Sequence, residues 1–156
     1  MANHAGGISV VAFVVAVAVS MGYYQFVYLP EANARPIVPE EIREPRQTTE
    51  VTIVEDAQNN PNSYKPREVR AVLGLSNKVV WTNEDSIPHT VTTDDDYEDP
   101  YSGVFDVQVR PQDEGGAFVM PGETYEFLFT QEGEYPYHCV PHPQMKGIVE
   151  VIPNFA

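Results

Sequence analysis

The chain has one cysteine in 156 residues, four histidines, and nine Lys and Arg side chains. A lone thiol, Cys139, rules out an intramolecular disulfide. It is left as a buried thiol, an intermolecular link, a nucleophile or a metal ligand. Nine cations against 23 anions give a net charge of −14. Nucleic acid is therefore not an expected partner, because phosphates are gripped by clustered Lys and Arg. Amphipathic helical periodicity is also missing beyond residue 49, and internal repeats are absent. The length suits one ordinary domain with an extension.

One charge-free stretch stands at the amino-terminal side: "ISVVAFVVAVAVSMGYYQFVYL", residues 8–29. At helical rise it spans about 33 Å, enough to cross a hydrocarbon core of about 30 Å. Tyr23, Tyr24, Phe26 and Tyr28 crowd its far end, where aromatic rings suit a membrane interface. A cleaved signal peptide is the rival reading, with "AVA" at 16–18 as its processing site. Against it, no Lys or Arg precedes the run, which continues well past those alanines. Residues 1–29 are thus expected to be a single-pass membrane anchor with an extracytoplasmic (periplasmic or pseudoperiplasmic) domain. Residues 30–48 carry four prolines and mixed charge, the composition of an extended linker or of a segment wrapped on the domain.

From residue 49 to 156 the texture becomes short apolar runs cut by turns. Residues 50–56, 68–74, 78–83, 89–93, 124–130, 134–140 and 147–152 alternate with a period near two and are rich in Val, Thr, Phe and Tyr. Seven or eight strands in about a hundred residues imply an all-β Greek-key sandwich. Trp81, two positions from Val79, is expected in its core.

The stretch "YHCVPHPQM", 137–145, gathers His138, Cys139, His142 and Met145. Alternation along a strand puts Tyr135, Tyr137 and Cys139 on one face and Pro136 and His138 on the other. His142 and Met145 then lie on a following loop that can fold back toward Cys139, with Pro141 and Pro143 restricting the backbone around His142. Gly147 lets the chain turn into the last strand. A fourth ligand must come from elsewhere. His4 precedes the apolar segment, which leaves His89, just after Pro88 in "VVWTNEDSIPHTVTT". Two imidazoles, a thiolate and a weak thioether are the ligands of a blue-copper electron-transfer centre. A structural zinc site, which has no use for a thioether, a Cys139–His142 catalytic pair, and a core cysteine among unrelated histidines are the competing readings.

The two segments "VVWTNEDSIPHTV" and "GEYPYHCVPHPQMKGIVEV" resemble the small cupredoxins, the plastocyanins and amicyanins, with Cys-x2-His-x2-Met spacing like that of amicyanin. The likeness extends through "YKPREVRAVLGLSNKVVWTN" and "MPGETYEF", roughly residues 49–152, while 102–119 is longer than in the smallest members. The resemblance implies an eight-stranded sandwich with one copper at its end, held by His89, Cys139, His142 and Met145. It also implies that the edge of His142 meets solvent through an apolar patch, here Pro88, Val140, Pro141 and Pro143, where a redox protein docks. Asn83 is expected to stiffen the loop carrying His89, and Thr90 to offer its amide to the sulfur of Cys139.

His138 is expected on the outer face; bonded to Cys139, it also offers a second electron route. Five acids between Asp94 and Asp99 read as a solvated loop, or as a docking surface for a cationic redox partner. The functional expectation is a membrane-tethered one-electron carrier without small-molecule substrate. A multicopper oxidase or nitrite reductase needs a further histidine cluster, which four histidines cannot build without a partner chain. A subunit of a larger membrane complex and a copper storage or delivery protein are the other readings.

Overall fold

A computed structural model describes residues 4–32 and 37–155. They divide into a helical unit up to residue 36 and a compact β unit from Ile37 onward. In the first, helix α1 (His4–Tyr23) runs through a π-helical stretch (Tyr24–Tyr28) into a last turn, Leu29–Ala32. Residues Val10–Ala32 form an apolar helix long enough to cross a membrane, with none of that length buried in protein. An apolar helix left uncovered needs lipid or protein around it.

The β unit is a sandwich of two four-stranded sheets. One has the order β2 (Tyr64–Lys65), β1 (Thr48–Ile53), β4 (Lys78–Asn83), β8 (Thr124–Leu128). The other has β3 (Glu68–Val72), β10 (His142–Ile152), β9 (Gly133–Cys139), β5 (Thr92–Thr93). A hairpin of β6 (Glu98–Asp99) and β7 (Gly103–Val104) stands apart. Two pairs are parallel, β1 with β4 and β10 with β3. The remaining pairs are antiparallel. Parallel neighbours within a sandwich require the chain to cross between sheets, and it does so between β1 and β4 and again between β3 and the last strand.

The inward residues follow from strand alternation. Val69 and Ala71, Tyr125 and Phe127, Tyr135 and Tyr137, and Val149 and Val151 are buried at every second position. Trp81 is fully buried, with Phe105 and Tyr125 at 5.5 and 5.6 Å and Tyr137 edge-on at 5.5 Å. Phe105 belongs to the segment 102–119, whose path the sequence leaves open. The segment sends Phe105 and Val107 into the core. It is then tied down by Arg110, which donates to the carbonyls of Gly116, Phe118 and Thr124.

The two poles of the sandwich differ. At the pole formed by the end of β3, the start of β4 and the end of β10, the entering chain packs on the loop 73–77. Asn77 donates to the carbonyls of Ile42 and Phe129, and the amide of Gln47 donates to Leu75. Residues 37–48 therefore belong to the compact unit, and include a one-turn helix α2 (Glu40–Arg43). Wrapping, not free extension, is the state of this part of the Pro-rich segment. The opposite pole, where β4 and β9 end and β10 begins, holds the histidines.

Candidate metal centre

Strand β9 delivers Cys139, fully buried, at its last position. The chain turns at Val140–Pro141 and pairs His142 back onto Cys139; the next pair is Lys146 with His138. One step on β9 thus matches four on β10, and residues 143–145 have no partner across the ladder. Such a bulge re-aims side chains: Pro143 and Gln144 stay exposed while Met145 turns fully inside.

His89 reaches the same place from the other side of the sandwich. Its backbone forms a two-hydrogen-bond bridge with Val119, at 3.2 and 2.9 Å. Asn83, fully buried, stiffens the approach. Its amide donates to Ile87 and Val119 carbonyls at 2.8 and 2.9 Å, and its oxygen accepts from the amide of Asp85 at 2.9 Å. Both imidazoles present Nδ1 to the sulfur, His89 at 3.7 Å and His142 at 3.6 Å. The ligating atoms of His89, Cys139 and His142 all lie within 4.8 Å of one another. With ligand atoms about 2.0–2.3 Å from one ion, nitrogen and sulfur lie about 3.7 Å apart in a flat trigonal arrangement and about 3.5 Å in a tetrahedral one. The observed separations, 3.6 and 3.7 Å, fall in the range expected of ligands that share one ion. With Met145 packed inside the same turn, the donor set suits a copper ion better than a four-coordinate zinc.

Three further contacts shape this cluster. The amide of Thr90 donates to Sγ of Cys139 at 3.3 Å, and its hydroxyl accepts from the amide of Val140 at 2.8 Å. Tyr64 donates to the carbonyl of Thr90 at 2.7 Å; burial, then the neighbouring Cys139 and Tyr137, raise its pKa, so it remains a donor. Asp85 lies 2.8 Å from Nε2 of His89. Burial raises the Asp85 pKa, yet hydrogen bonds from His89 and from the Ser86, Ala57 and Asp56 amides outweigh it and hold the carboxyl at about 2. Burial lowers the His89 pKa, against the opposing pull of Asp85. An ionised carboxylate only accepts, so Nε2 of His89 carries its proton and Nδ1 offers a lone pair to the cluster.

Sequence reasoning missed Asp85, Val119 and Tyr64. Asp85 sits four residues before His89, the one local signal available. The outer surface follows the alternation: His138 is half-buried on the outer face, with Nδ1 paired to Asp94. Pro88, Val140, Pro141 and Pro143 are exposed around a partly exposed His142. Asp94, Asp95, Asp96 and Glu98 are exposed, but Asp99 is 1 % exposed and faces inward. It accepts from Tyr97, Tyr101, Ser102 and Thr130. Asp99 is a structural anchor, so the acidic surface ends at Glu98.

A mixed two-sheet sandwich with two histidines and a cysteine meeting at one pole defines a cupredoxin-type metal protein. The family described as copper binding proteins, plastocyanin/azurin family, matches residues 51–152. Amicyanin-alpha of Methylorubrum extorquens is 34% identical over 107 residues, 69% of this chain and 74% of that one. Plastocyanin of Capsella bursa-pastoris is 42% identical over 77 residues, 49% of this chain and 74% of that one. The copper-containing nitrite reductase of Thermus scotoductus shares the fold, with a TM-score of 0.50 and 23% identity over 77% of this chain and 28% of that one. The chain belongs to the plastocyanin/azurin family of copper-binding proteins.

Proposed function

We propose that the protein is a one-electron carrier whose single copper is held by His89, Cys139, His142 and Met145. The observation that carries this is the convergence of three ligating atoms, from segments 50 residues apart, within 4.8 Å. Copper supplies the exchange of one electron between Cu(II) and Cu(I). The chain's own residues supply rigidity. His89, Cys139 and Met145 are fully buried, and the Thr90 amide fixes the direction of the sulfur. Little reorganisation is needed when ligands are held this way, which favours fast transfer over substrate chemistry.

His142 is the port for electrons, since it alone of the four meets solvent. Its apolar surround of Pro88, Val140, Pro141 and Pro143 lets a redox protein approach closely without strong binding, as expected of small transient interfaces. His138, next to Cys139 and paired to Asp94, is a second exit on the side of the sheet. Asp94, Asp95, Asp96 and Glu98 flank it and suit a cationic redox partner. The apolar helix Val10–Ala32 supports a single-pass anchor in the cell membrane with an extracytoplasmic copper domain.

The full chain in detergent, purified and loaded with copper, is expected to hold one copper and to show an intense visible thiolate-to-copper absorption. Cys139→Ser abolishes that absorption. A wild-type protein that binds no copper, or a variant that keeps the colour, refutes the ligand set.

A further inference from the structure

Asp85 is 5 % exposed in a protein whose acids are otherwise mostly at the surface. Its Oδ2 accepts from Nε2 of His89 at 2.8 Å and from the amide of Ala57 at 3.0 Å. Its Oδ1 accepts from the amides of Ser86 and Asp56 at 2.7 and 3.2 Å. The Ser86 hydroxyl adds a longer contact at 3.4 Å. Three backbone donors and one imidazole hold an ionised side chain where an uncompensated charge would be costly. The anchoring amides come from two places, the turn at 56–57 and the loop at 86. The carboxylate position is therefore set by the frame and not by the histidine.

The two imidazoles of the cluster are consequently unequal. Among the described residues no carboxylate contacts His142, which is also the more exposed ring. A carboxylate accepting from the far nitrogen of a ligating histidine fixes its tautomer and makes the near nitrogen a stronger donor. Added electron density and a buried negative charge both favour the higher charge state of a bound ion.

We propose that Asp85 is a positioning residue that locks His89 with its proton on Nε2 and sets the balance between the two oxidation states of the site. This inference rests on the copper-carrier reading given above and concerns only His89. Groups that orient metal-bound histidines are worth about 10- to 100-fold in metal affinity, and loss of the charge falls mainly on Cu(II), weakening it by about tenfold relative to Cu(I). The shape of the site is a separate matter, because Asp85→Asn keeps only one of the two oxygens, so either the amide at 57 or those at 56 and 86 lose their acceptor as well.

The test compares full-length wild type, Asp85→Asn and Asp85→Glu, each loaded with copper, by redox titration at fixed pH. A tenfold change in the Cu(II)-to-Cu(I) affinity ratio is a shift of 59 mV for one electron. Asp85→Asn is expected to raise the potential by about that much, while Asp85→Glu, which keeps the charge, stays nearer the wild type. An unchanged potential in copper-bound Asp85→Asn overturns the proposal. A purely structural role predicts equal effects of Asn and Glu, and that outcome overturns it too. Should Asp85→Asn fail to fold, nitrogen-15 spectra of the metal-free wild type decide. The proposal requires His89 to carry its proton on Nε2 before metal is added, and a proton found on Nδ1 defeats it. Failure of the wild type to bind copper would instead sink the carrier reading, leaving the metal-free tautomer as a separate observation.

Discussion

Replacing Asn83 by alanine separates the frame that carries His89 from the metal it presents. The side chain makes three hydrogen bonds, two of them fully buried, to the Val119 carbonyl and from the Asp85 amide, and one partly buried, to the Ile87 carbonyl. Removing it leaves the buried Asp85 amide without a partner, at about 1–3 kcal/mol, while the Val119 carbonyl keeps the His89 amide and the Ile87 carbonyl can meet water, each losing one hydrogen bond worth about 0.5–1.5 kcal/mol. Asn83→Ala should therefore destabilise the metal-free protein by about 2–6 kcal/mol, read as a lower urea midpoint at unchanged slope. Asn83→Asp is the sharper variant. Its oxygen can still accept from the Asp85 amide, but its other oxygen faces the Ile87 and Val119 carbonyls, so it should be no better than alanine. Both variants release the bridge between His89 and Val119, and copper affinity measured by chelator competition should fall about 10- to 100-fold. A loss below about 1 kcal/mol, with copper affinity unchanged, would refute the idea that Asn83 braces the site.

Met145→Leu conserves volume in a fully buried position, so stability should change by less than about 1.5 kcal/mol. Copper should still bind, at a raised reduction potential; an unaltered potential in voltammetry would remove Met145 from the ligand set. Gly147→Ala places a methyl group against the ring and hydroxyl of Tyr137. Since Tyr137 is fully buried against Trp81 and Tyr64, overpacking should cost about 1–3 kcal/mol. Equal thermal midpoints for the two proteins would show that the ring can yield. In the metal-free protein, Asp85 titrates at about 2 when folded against an ordinary 3.8. Its contribution, about 2 kcal/mol, is present above pH 4 and lost as pH falls toward 2. The stability gap between wild type and Asp85→Asn in urea should shrink over that range, and a gap independent of pH contradicts the assignment.

Most of the sandwich was legible because its strands alternate cleanly. Residues 78–83 form β4 over the expected span. The buried series at Tyr135, Tyr137 and Cys139 follows from the pleat alone. Where alternation lapses, legibility fell. The run 89–93 yields a strand of only Thr92–Thr93, because His89 bonds instead to Val119, a partner 30 residues away whose position depends on how 102–119 folds. The last strand begins at His142, five residues before the expected start at Gly147, since a bulge lets pairing resume after an irregular loop. Asp85 was invisible for a different reason. In a chain with 23 acids, one more carboxylate reads as solvent-facing, and only its four convergent donors reveal it as interior. The same camouflage hid Asp99, whose role inside the 98–104 hairpin depends on Thr130 arriving from a distant strand end. Residues 37–48 have no apolar period to announce that they pack, and they do so through carbonyls and amides, which every sequence possesses.

The wrapping of residues 37–47 onto the loop 73–77 bears on how the domain can be wired to a surface. That wrapping and the end of β10, where the Leu73 amide meets the Ile152 carbonyl, share one foot of the sandwich. An electrode linker or fused module joined at either place is attached at the foot, leaving the proline-ringed imidazole at the crown free to exchange electrons with solution.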